Sequence, residues 1–471
     1  MGCGRCDSRK GVILVGALWV MMFLAMVVLS FATSQTVELR AAGAFADRLQ
    51  GRHLARSGVE DALACLMADE TDYDGPDEEW RRNPERFERV PLGEGFYSLI
   101  YNNVDENAEL TFGMDDENGK VNLNIAPKEV LEDLPGMSEA LAEALIDWRD
   151  EDDETTGDGG AEDEYYLRLD PPYYAKNGPL DTVEELLLIK GFTTAKVFGE
   201  DANRNGVLDA CEDDGDRSYP PDDQDGVLDG GLVDYVTVYS YERNQTLEGE
   251  KRVNINEAKE PQLQNRLGHL LPPPKIKWIA EYRKAEIAGN PLFPDKKYMT
   301  PANVVAFMPV PGVAGEPLTF DEYRLIEDLV TVSSEDRIEG KINVNTARKA
   351  VLKVLPQLSD EEADAIVSER KKEETDLSSP TWVFDVLEGT PTEKLAKYQA
   401  LEPFLCVRSW QFTLQSVGVV PGRGATSRLH VVVDRAAQPP KFLYWRDVSG
   451  LGAAFAPPSR EAWLNEAGDG Y

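Results

Sequence analysis

Residues Gly11 to Val37 read GVILVGALWVMMFLAMVVLSFATSQTV and contain no charged side chain. A membrane-spanning helix needs roughly 20 apolar residues, because each residue advances the helix by about 1.5 Å. This stretch is longer than the apolar core of a cleaved secretory signal, which has about 7 to 15 residues. Basic Arg5, Arg9 and Lys10 precede it. The positive-inside rule therefore predicts a cytoplasmic head and an exported bulk.

The apolar run continues without a break into VELRAAGAFADRLQGRHLARSGVEDALACLM, residues 37 to 67. Apolar residues recur there at roughly helical intervals, with arginines between them. The pattern predicts one helix over residues 12–68, half in lipid and half outside. The residues that we expect to contact the helices of partner proteins are Leu39, Phe45, Leu49 and Leu63.

The composition predicts several folded units and an acidic surface. The chain has 471 residues, of which 42% are hydrophobic. A chain of this length is too long for one core and suggests about three units plus the helix. It carries 49 basic and 85 acidic residues, for a net charge of −36. Such a protein repels nucleic acid and anionic lipid and attracts divalent cations. Five sparse cysteines argue against a disulfide framework.

An internal repeat organises the middle of the chain. The strings GKVNLNIA, KRVNINEA and GKINVNTA each precede two helix-like runs separated by a turn, and each unit closes on a similar strand. In this pattern the second Asn is expected near the start of the following helix, where its oxygen can accept an orphan backbone N–H. The three predicted units span residues 119–241, 251–334 and 340–409.

The repeated helix pairs resemble helix-hairpin-helix modules, which are well known in DNA-binding proteins. Binding to phosphate needs basic side chains and backbone N–H groups on one face. Acids follow the turns here, among them Glu139, Glu143, Asp360 and Glu361. We therefore expect no nucleic acid partner and interpret the modules as a helical scaffold.

The remaining segments complete an α+β fold. Residues 69–118 are predicted to be a polar linker followed by the first β strands, which we expect to form a hairpin. Residues 410–448 contain three runs rich in β-branched and aromatic residues, which predict a small antiparallel sheet completed by the strands before Gly119. Residues 449–471 are predicted to form a flexible tail.

A candidate calcium site follows the first pair of helices. The segment from Asp201 to Glu212 fits the twelve-place EF-hand loop, with Gly206 at the sharp turn. We interpret it as a Ca²⁺ site rather than a solvated acidic turn. Its predicted ligands are Asp201, Asn203, Asn205, the carbonyl of Val207, Asp209 and Glu212.

A second, less complete loop is centred on Gly226. Asp223, Asp225 and Asp229 fall at ligand places, whereas the first and last places hold Pro221 and Leu232. This loop is either a partial calcium site or an acidic surface turn.

Enzymatic functions find little support. The three histidines, His53, His269 and His430, have no Ser, Cys or second His at a useful spacing. No glycine-rich phosphate loop follows a predicted strand. We expect no enzymatic activity.

The amino-terminal order of basic head, Lys10-Gly11, apolar run and amphipathic continuation resembles a type IV pilin-like precursor. The resemblance implies a leader of residues 1–11, cut by a prepilin peptidase between Gly11 and Val12. Most such precursors have Glu five residues into the mature chain, where Gly16 stands here. That departure is typical of the large minor pseudopilin named general secretion pathway protein K (GspK).

The segment from Asp147 to Phe192 resembles the same GspK family. It has an acidic turn after Trp-Arg, then Gly-Ala-Glu-Asp, paired tyrosines, Pro-Pro-Tyr, an Asn and a helix that reads Val-Glu-Glu-Leu. The family usually has two helical modules, whereas three repeats occur here. The matching residues include Trp148, Arg149, Gly160, Glu162, Tyr165, Tyr166, Pro171, Pro172, Asn177 and Glu184.

The resemblance implies a non-enzymatic minor pseudopilin of a type II protein secretion system. It would be a single-pass inner-membrane protein with its bulk in the periplasm, and it would cap the pseudopilus tip in a complex with other minor pseudopilins. Two other functions remain open: a membrane-anchored DNA receptor of the competence type, and a calcium-dependent surface adhesin. Salt-dependent duplex binding would favour the DNA receptor, whereas absence of peptidase processing would favour the adhesin.

Overall fold

A computed structural model describes residues 9–103, 110–283, 297–422 and 424–459. The fold is α+β, as predicted, with one long helix, an antiparallel sheet against its second half and a larger helical body. The α-helices are α1 (Arg9–Ala68), α2 (Pro84–Phe87), α3 (Lys128–Glu132), α4 (Glu139–Arg149), α5 (Asp163–Tyr166), α6 (Thr194–Phe198), α7 (Glu260–Leu267), α8 (Pro273–Tyr282), α9 (Phe320–Arg324), α10 (Lys349–Lys353), α11 (Asp360–Glu369), α12 (Val383–Val386) and α13 (Pro391–Leu401). The strands are β1 (Val90–Leu92), β2 (Gly95–Tyr101), β3 (Thr111–Phe112), β4 (Asp115–Asp116), β5 (Val121–Asn122), β6 (Val236–Thr237), β7 (Tyr241–Arg243), β8 (Val253–Asn254), β9 (Val330–Thr331), β10 (Arg337–Glu339), β11 (Ile342–Asn343), β12 (Leu405–Cys406), β13 (Gln411–Val420), β14 (Ala425–Asp434) and β15 (Lys441–Asp447).

Helix α1 is unbroken over 60 residues, as its continuous pattern predicted. Its described amino-terminal half is exposed along its length and is long and apolar enough to cross a membrane. The carboxy-terminal part, from Gly51 onward, packs on the sheet, because apolar side chains recur there every three or four residues on one face. These buried residues are Leu54, Ala55, Val59, Ala62 and Leu66.

The sheet has the order β1-β2-β13-β14-β15, with β3 beside β2 and β4 beside β13, and all of its pairs are antiparallel. The three predicted carboxy-terminal strands are therefore present, and strands before Gly119 complete the sheet as expected. One face of β13 packs against α1 through Phe412 and Leu414. The opposite face carries Val417 and Val419.

Small residues let α1 approach the sheet closely. A Cβ atom at Gly418 of β13 would lie 2.1 Å from the carbonyl oxygen of Gly51 and 2.4 Å from the amide nitrogen of Ala55. On the helix side, a Cβ at Gly58 would lie 2.3 Å from Ser416 Oγ. The helix and the sheet therefore touch through their backbones. This contact fixes the direction in which the exposed part of α1 extends from the sheet.

Each repeat is a module closed by a two-residue parallel ladder. The ladders pair β5 with β6, β8 with β9 and β11 with β12, so the start and the end of each unit lie side by side. Within the units, the helices of the pairs α3–α4, α7–α8 and α10–α11 are in contact. One cluster of buried apolar residues runs from Val121 to Val407 through all three units. The repeats therefore share a single core.

The asparagines of the repeat have a different role from the predicted helix cap. In the first unit, Asn122 Oδ1 accepts the N–H of Asn124. The side chain of Asn124 then exchanges two hydrogen bonds with the backbone of Leu180, at 2.7 and 3.1 Å. Helix α3 begins after Pro127, without a side-chain cap. The second Asn thus joins the opening string to the chain beyond the second helix.

The other two units repeat this arrangement. Asn256 exchanges two hydrogen bonds with the backbone of Tyr298, and Asn345 Nδ2 donates to Leu377 O. An arginine at the end of each second helix donates to two carbonyls of the opening string, which fixes the string against the helix pair. These arginines are Arg149, Arg283 and Arg370.

Two segments are more ordered than the sequence indicated. The predicted linker after α1 buries Trp80 and Phe87 in the core beneath α1, and Asp74 is fully buried beside Arg435. In the predicted flexible tail, Ala454 is buried and Phe455 packs on Phe96. Residues 460–471 and the middle of the predicted hairpin, residues 104–109, lie outside the described part of the chain.

Candidate functional site

The predicted EF-hand-like loop is a compact turn whose backbone amides point at its own side chains. Asp201 accepts hydrogen bonds from the amides of Asn205 and Gly206, at 3.1 and 2.8 Å. Gly206 has φ +75°, a left-handed conformation that glycine adopts without strain. Glu212, at the last place, accepts from the amides of Ala202 and Asp209. The first and last places are thus both turned inward.

The central side chains of the loop surround the carboxylate of Asp209. Asn203 Nδ2 and Asn205 Nδ2 donate to Asp209 Oδ2, at 2.5 and 3.2 Å. Asn203 Oδ1 is buried and has no hydrogen-bond partner among the described residues. Buried amide oxygens are rarely left without a partner, because the lost hydration costs roughly 1–3 kcal/mol. This oxygen is therefore a free acceptor at the third place of the loop.

Burial governs the charge state of the loop. Asp201 and Glu212 are 3% and 1% exposed. Burial raises the pKa of Asp201 to about 7, and the charges of Glu212 and Asp234 act in the same direction. Burial also raises the pKa of Glu212, with a further contribution from Asp209. Because loss of hydration and mutual repulsion both disfavour ionisation, a cation at this position would favour it.

The donor set fits a calcium ion better than a transition metal. Within the described ranges, no three His, Cys, Asp or Glu side chains are gathered closely enough to hold a metal by themselves. The loop instead combines carboxylates with the amide oxygens of Asn203 and Asn205. Hard oxygen ligands of mixed charge are those that Ca²⁺ takes. The unpartnered oxygen of Asn203 is the observation that supports this fit.

The loop is fastened to the outer face of the sheet, the face away from α1. Gln415 Nε2 of β13 donates to Arg204 O at 2.8 Å, and Asn102 Nδ2 donates to Asp201 Oδ2 at 3.3 Å. Asn205 Nδ2 donates to Ala454 O at 3.0 Å. An insertion in the first module therefore contacts both the sheet and the carboxy-terminal segment.

The second predicted loop is more open. Asp223, Asp225 and Asp229 are exposed, and Gly226 has φ +77° at the turn. Asp223 Oδ1 accepts from the amide of Asp225, and Asp225 Oδ1 accepts from the amide of Val227. The carboxylates of the loop therefore fold back on its backbone.

Sequence reasoning missed Glu200 as a member of this second group. Its Oε2 accepts from the amide of Asp229 at 3.3 Å, and its own amide donates to Asp229 O at 3.0 Å. Burial raises the pKa of Glu200, and the charges of Asp229 and Asp223 raise it further. Only its position immediately before Asp201 could have indicated that it lies between the two loops.

Three of the four predicted partner-binding residues lie on the free part of α1. Leu39, Phe45 and Leu49 are 73%, 70% and 46% exposed. Leu63 instead packs against the core between α1 and the sheet, which makes it a structural residue of this chain. The predicted processing site, Gly11 and Val12, falls at the start of α1, where side chains lie outside the described part.

The lysines near the helix pairs form ion pairs with carboxylates. Lys128 Nζ lies 3.0 Å from Glu139 and 2.8 Å from Glu143. In the other modules, Lys275 pairs with Glu322 at 2.9 Å, and comparable pairs hold Lys349 and Lys353. Cations that are neutralised in this way offer little attraction to phosphate. The geometry gives no support to a nucleic acid interface at these positions.

Comparisons with known proteins point to a component of a secretion machine. The profile of the family described as type II secretion system (T2SS), protein K matches residues 126–198. The type II secretion system protein K of Pseudomonas aeruginosa is 27% identical over 207 residues, which cover 39% of this chain and 58% of that protein. The chain thus matches somewhat over half of the length of this relative.

One solved structure is similar to this chain. It is the crystal structure of the GspK–GspI–GspJ complex from the type 2 secretion system of enterotoxigenic Escherichia coli. The TM-score is 0.41 and the sequence identity is 14%, and the match covers 87% of this chain and 99% of that chain. The family profile lies on the first module, where α3, α4 and α5 precede the candidate calcium loop. The first module and the related sequence therefore show that this chain is similar to type II secretion system protein K.

Proposed function

We propose that the chain is a large minor pseudopilin that caps the pseudopilus tip and helps to start its assembly for protein export. The division of α1 carries this proposal. The part from Gly51 onward is buried against the sheet of its own chain, whereas the part before it presents Leu39, Phe45 and Leu49 to solvent. A helix held in this way can pack against equivalent helices of other subunits. The three-module body would block the addition of further subunits above this chain.

The proposed anchor is the apolar part of α1. It would hold the chain in the inner membrane as a single-pass protein, with the body in the periplasm. The basic residues before Gly11 favour that orientation. We further propose that a prepilin peptidase cuts between Gly11 and Val12, which would leave the apolar run at the new amino terminus.

The proposed partners are other minor pseudopilins. Without burial against a partner, the large apolar side chains of Leu39, Phe45 and Leu49 would be an aggregation hazard above the membrane. Association of amphipathic helices removes this surface from water, at roughly 25 cal/mol per Å² of apolar area. The proposed role requires no catalysis, and we expect no enzymatic activity.

We propose that the loop from Asp201 to Glu212 binds Ca²⁺. The side chains of Asp201, Asn203, Asn205, Asp209 and Glu212 and the carbonyl of Val207 would hold the ion. The bound ion would supply positive charge to the carboxylates of the loop. Asp223, Asp225, Asp229 and Glu200 would form a second, weaker site. We interpret the helix-hairpin-helix-like modules as a scaffold for these loops.

Secretion by the source bacterium tests this function. Deletion of the gene is expected to abolish export of type II substrates, and the wild-type gene is expected to restore it. Phe45→Arg should fail to restore export, because it places charge on the proposed contact face. Leu188→Arg, which changes an apolar side chain that is 48% exposed on the first module, is the matched control and should restore it. Normal export by the deletion strain would contradict the proposal.

A further inference from the structure

Arg428, in the middle of β14, is a fully buried cation. Its residue exposure is 0%, and within the described part of the chain no carboxylate lies within ion-pair distance of it. Burying a guanidinium without a paired carboxylate costs several kcal/mol, by general estimates. Its surroundings must therefore compensate the charge in another way.

Backbone carbonyls supply part of this compensation. Arg428 Nη1 donates to Asn203 O at 2.9 Å, and Nη2 donates to Arg204 O at 3.1 Å, so two of its bonds hold the candidate calcium loop. Nη1 also donates to Gly452 O at 3.2 Å, in the carboxy-terminal segment. Nη2 further donates to Gln415 Oε1 on the neighbouring strand. One guanidinium thus joins the loop, the sheet and the carboxy-terminal segment.

The main chain of Arg428 reinforces the connection. The amide of Arg428 donates to Ser449 Oγ at 3.0 Å, and its carbonyl accepts from the amide of Val448 at 2.9 Å. A few residues further on, the carbonyl of Ala454 accepts from Asn205 Nδ2, a side chain inside the loop. Phe455 then stacks on Phe96, with ring centroids 6.5 Å apart. The segment 448–455 is therefore held from both ends by groups that belong to the loop or contact it.

Charge balance indicates when this arrangement is most stable. Asp201, Asp209 and Glu212 carry three negative charges when ionised, and the two positive charges of Ca²⁺ leave one in excess. Arg204, the cation within the loop, lies 3.6 Å from Glu184, which offsets part of its charge. Arg428, whose guanidinium donates to the carbonyls of Asn203 and Arg204, places a further positive charge against the loop.

We propose that Arg428 is a positioning residue that couples calcium binding in the loop to docking of segment 448–455 on the outer face of the sheet. This inference rests on the proposed calcium site. Ordering of the loop fixes the carbonyls of Asn203 and Arg204, and these fix the guanidinium that holds Gly452. Release of the segment would uncover the apolar side chains of Phe96, Ile100, Val417 and Val419.

The test combines calorimetry with hydrogen exchange on the full chain in detergent. Calorimetry with CaCl₂ first establishes binding. Exchange of the amides in segment 448–455 is then measured with chelator and with saturating calcium. We expect calcium to slow this exchange about tenfold, the effect of roughly 1.4 kcal/mol of local stabilisation.

Variants separate coupling from binding. Arg428→Gln should still bind calcium and protect the amides of residues 205–207, but calcium should no longer slow exchange in segment 448–455. Arg446→Gln, on the adjacent strand with a side chain that is 54% exposed, is the control and should behave as wild type. Arg428→Lys keeps the charge and replaces the glutamine variant in the test if that variant does not fold. In Arg428→Lys, calcium should slow exchange in segment 448–455 less than in wild type, because one ammonium cannot reach all four acceptors.

The outcomes are distinguishable. Absence of calcium heat in the wild type would remove the calcium site and this inference together. Calcium heat without any change in segment 448–455 would overturn the inference alone. Full coupling in both Arg428 variants would overturn it as well, since the segment would then dock without this residue.

Discussion

At the scale of single residues, the asparagines of the repeat explain why three helical modules close in the same way. Each first Asn turns the chain, and each second Asn bonds the backbone of a distant segment. Asn345 is a fully enclosed example, with 0% exposure. Its Nδ2 donates to Leu377 O at 3.0 Å, and its Oδ1 accepts from Trp382 Nε1 at 3.2 Å. A short side chain thereby satisfies a buried carbonyl and a buried indole together.

Replacement of Asn345 by Ala is expected to destabilise the protein by about 2–4 kcal/mol, because two buried polar groups lose their partners. The measurement is the free energy of unfolding from denaturant titration of the full chain in detergent. Asn265→Ala, at an exposed position on α7, is the control and should change stability by less than about 0.5 kcal/mol. Equal stability of the two variants would show that the Asn345 contacts are not needed.

The sequence reveals that these asparagines matter, but not what they bond. The spacing in VNLN, VNIN and INVN marked them as structural, and a cap on the next helix was the local explanation. The actual partners lie dozens of residues away, as with Asn124 and Leu180. Local pattern reasoning cannot identify a bond that forms only after the module has closed.

Glu402 makes the stability of the body depend on pH. Its side chain is buried between the second and third modules, and its Oε2 has no hydrogen-bond partner in the described ranges. Burial raises the pKa of this carboxyl to about 7, and its effect is larger than that of the neighbouring charges, of which Lys341 and Arg252 lower the pKa while Glu327 and Glu242 raise it. A carboxyl with a raised pKa in the folded state contributes stability below its unfolded pKa of about 4.5, and this stability is lost as the pH rises through about 7.

Glu402→Gln should therefore stabilise the protein at pH 8 by about 1–3 kcal/mol relative to wild type and should remove part of the decline between pH 5 and 8. Unfolding free energies across this range provide the measurement. Glu361→Gln, at an exposed position, should leave the pH profile unchanged. Parallel profiles for wild type and Glu402→Gln would refute the assigned pH effect.

At the scale of elements, the contact between α1 and β13 determines how the exposed part of α1 is oriented relative to the sheet. Both surfaces have glycine where they meet, so the backbones approach without an intervening side chain. Periodicity predicted α1 and the carboxy-terminal strands well, because each is long and strongly patterned. It could not predict that Gly418 faces Gly51, since nothing local relates the two positions.

Gly418→Ala should displace α1, because the new methyl group would overlap the backbone of Gly51 and Ala55. Overpacking of this kind typically costs about 1–3 kcal/mol. Thermal unfolding of the full chain in detergent measures this change. Gly43→Ala on the free part of α1, where a Cβ meets no atom within 4 Å, should be neutral or slightly stabilising. An unchanged melting temperature for Gly418→Ala would show that the helix is not seated on β13 as described.

Segments of mixed polar composition were the least predictable elements. Residues 68–91 have the Gly, Pro and acidic content of a linker, yet Trp80 and Phe87 are 1% and 0% exposed. The segment after Ser449 was likewise interpreted as a flexible tail. Both become ordered because a few apolar side chains find a surface built by distant parts of the chain, and composition alone does not reveal such surfaces.

At the scale of the whole molecule, three sequence repeats form a single helical body. Each repeat was predicted as a unit, and each does close on its own parallel ladder. The continuous core from Val121 to Val407 nevertheless shows that the units fold against one another. An internal repeat thus predicts the local design better than the number of independent cores.

The compact turn from Asp201 to Glu212 was predictable from the sequence, whereas the residues that surround it were not. The order of oxygen-bearing residues from Asp201 to Glu212 specifies the turn, because each place has a fixed chemical requirement. Glu200 and Arg428 lie outside that pattern and reach the loops only through the fold. Their roles therefore required the structure.

The most direct test of the central claim is the size of the complex formed by the full chain in detergent with the minor pseudopilins encoded beside it. Light scattering after chromatography would be recorded with calcium and with chelator. The account predicts one discrete hetero-complex that is more stable with calcium and that is lost with Phe45→Arg but kept with Leu188→Arg. A chain that remains separate from these proteins in both conditions would contradict its proposed place at the pseudopilus tip.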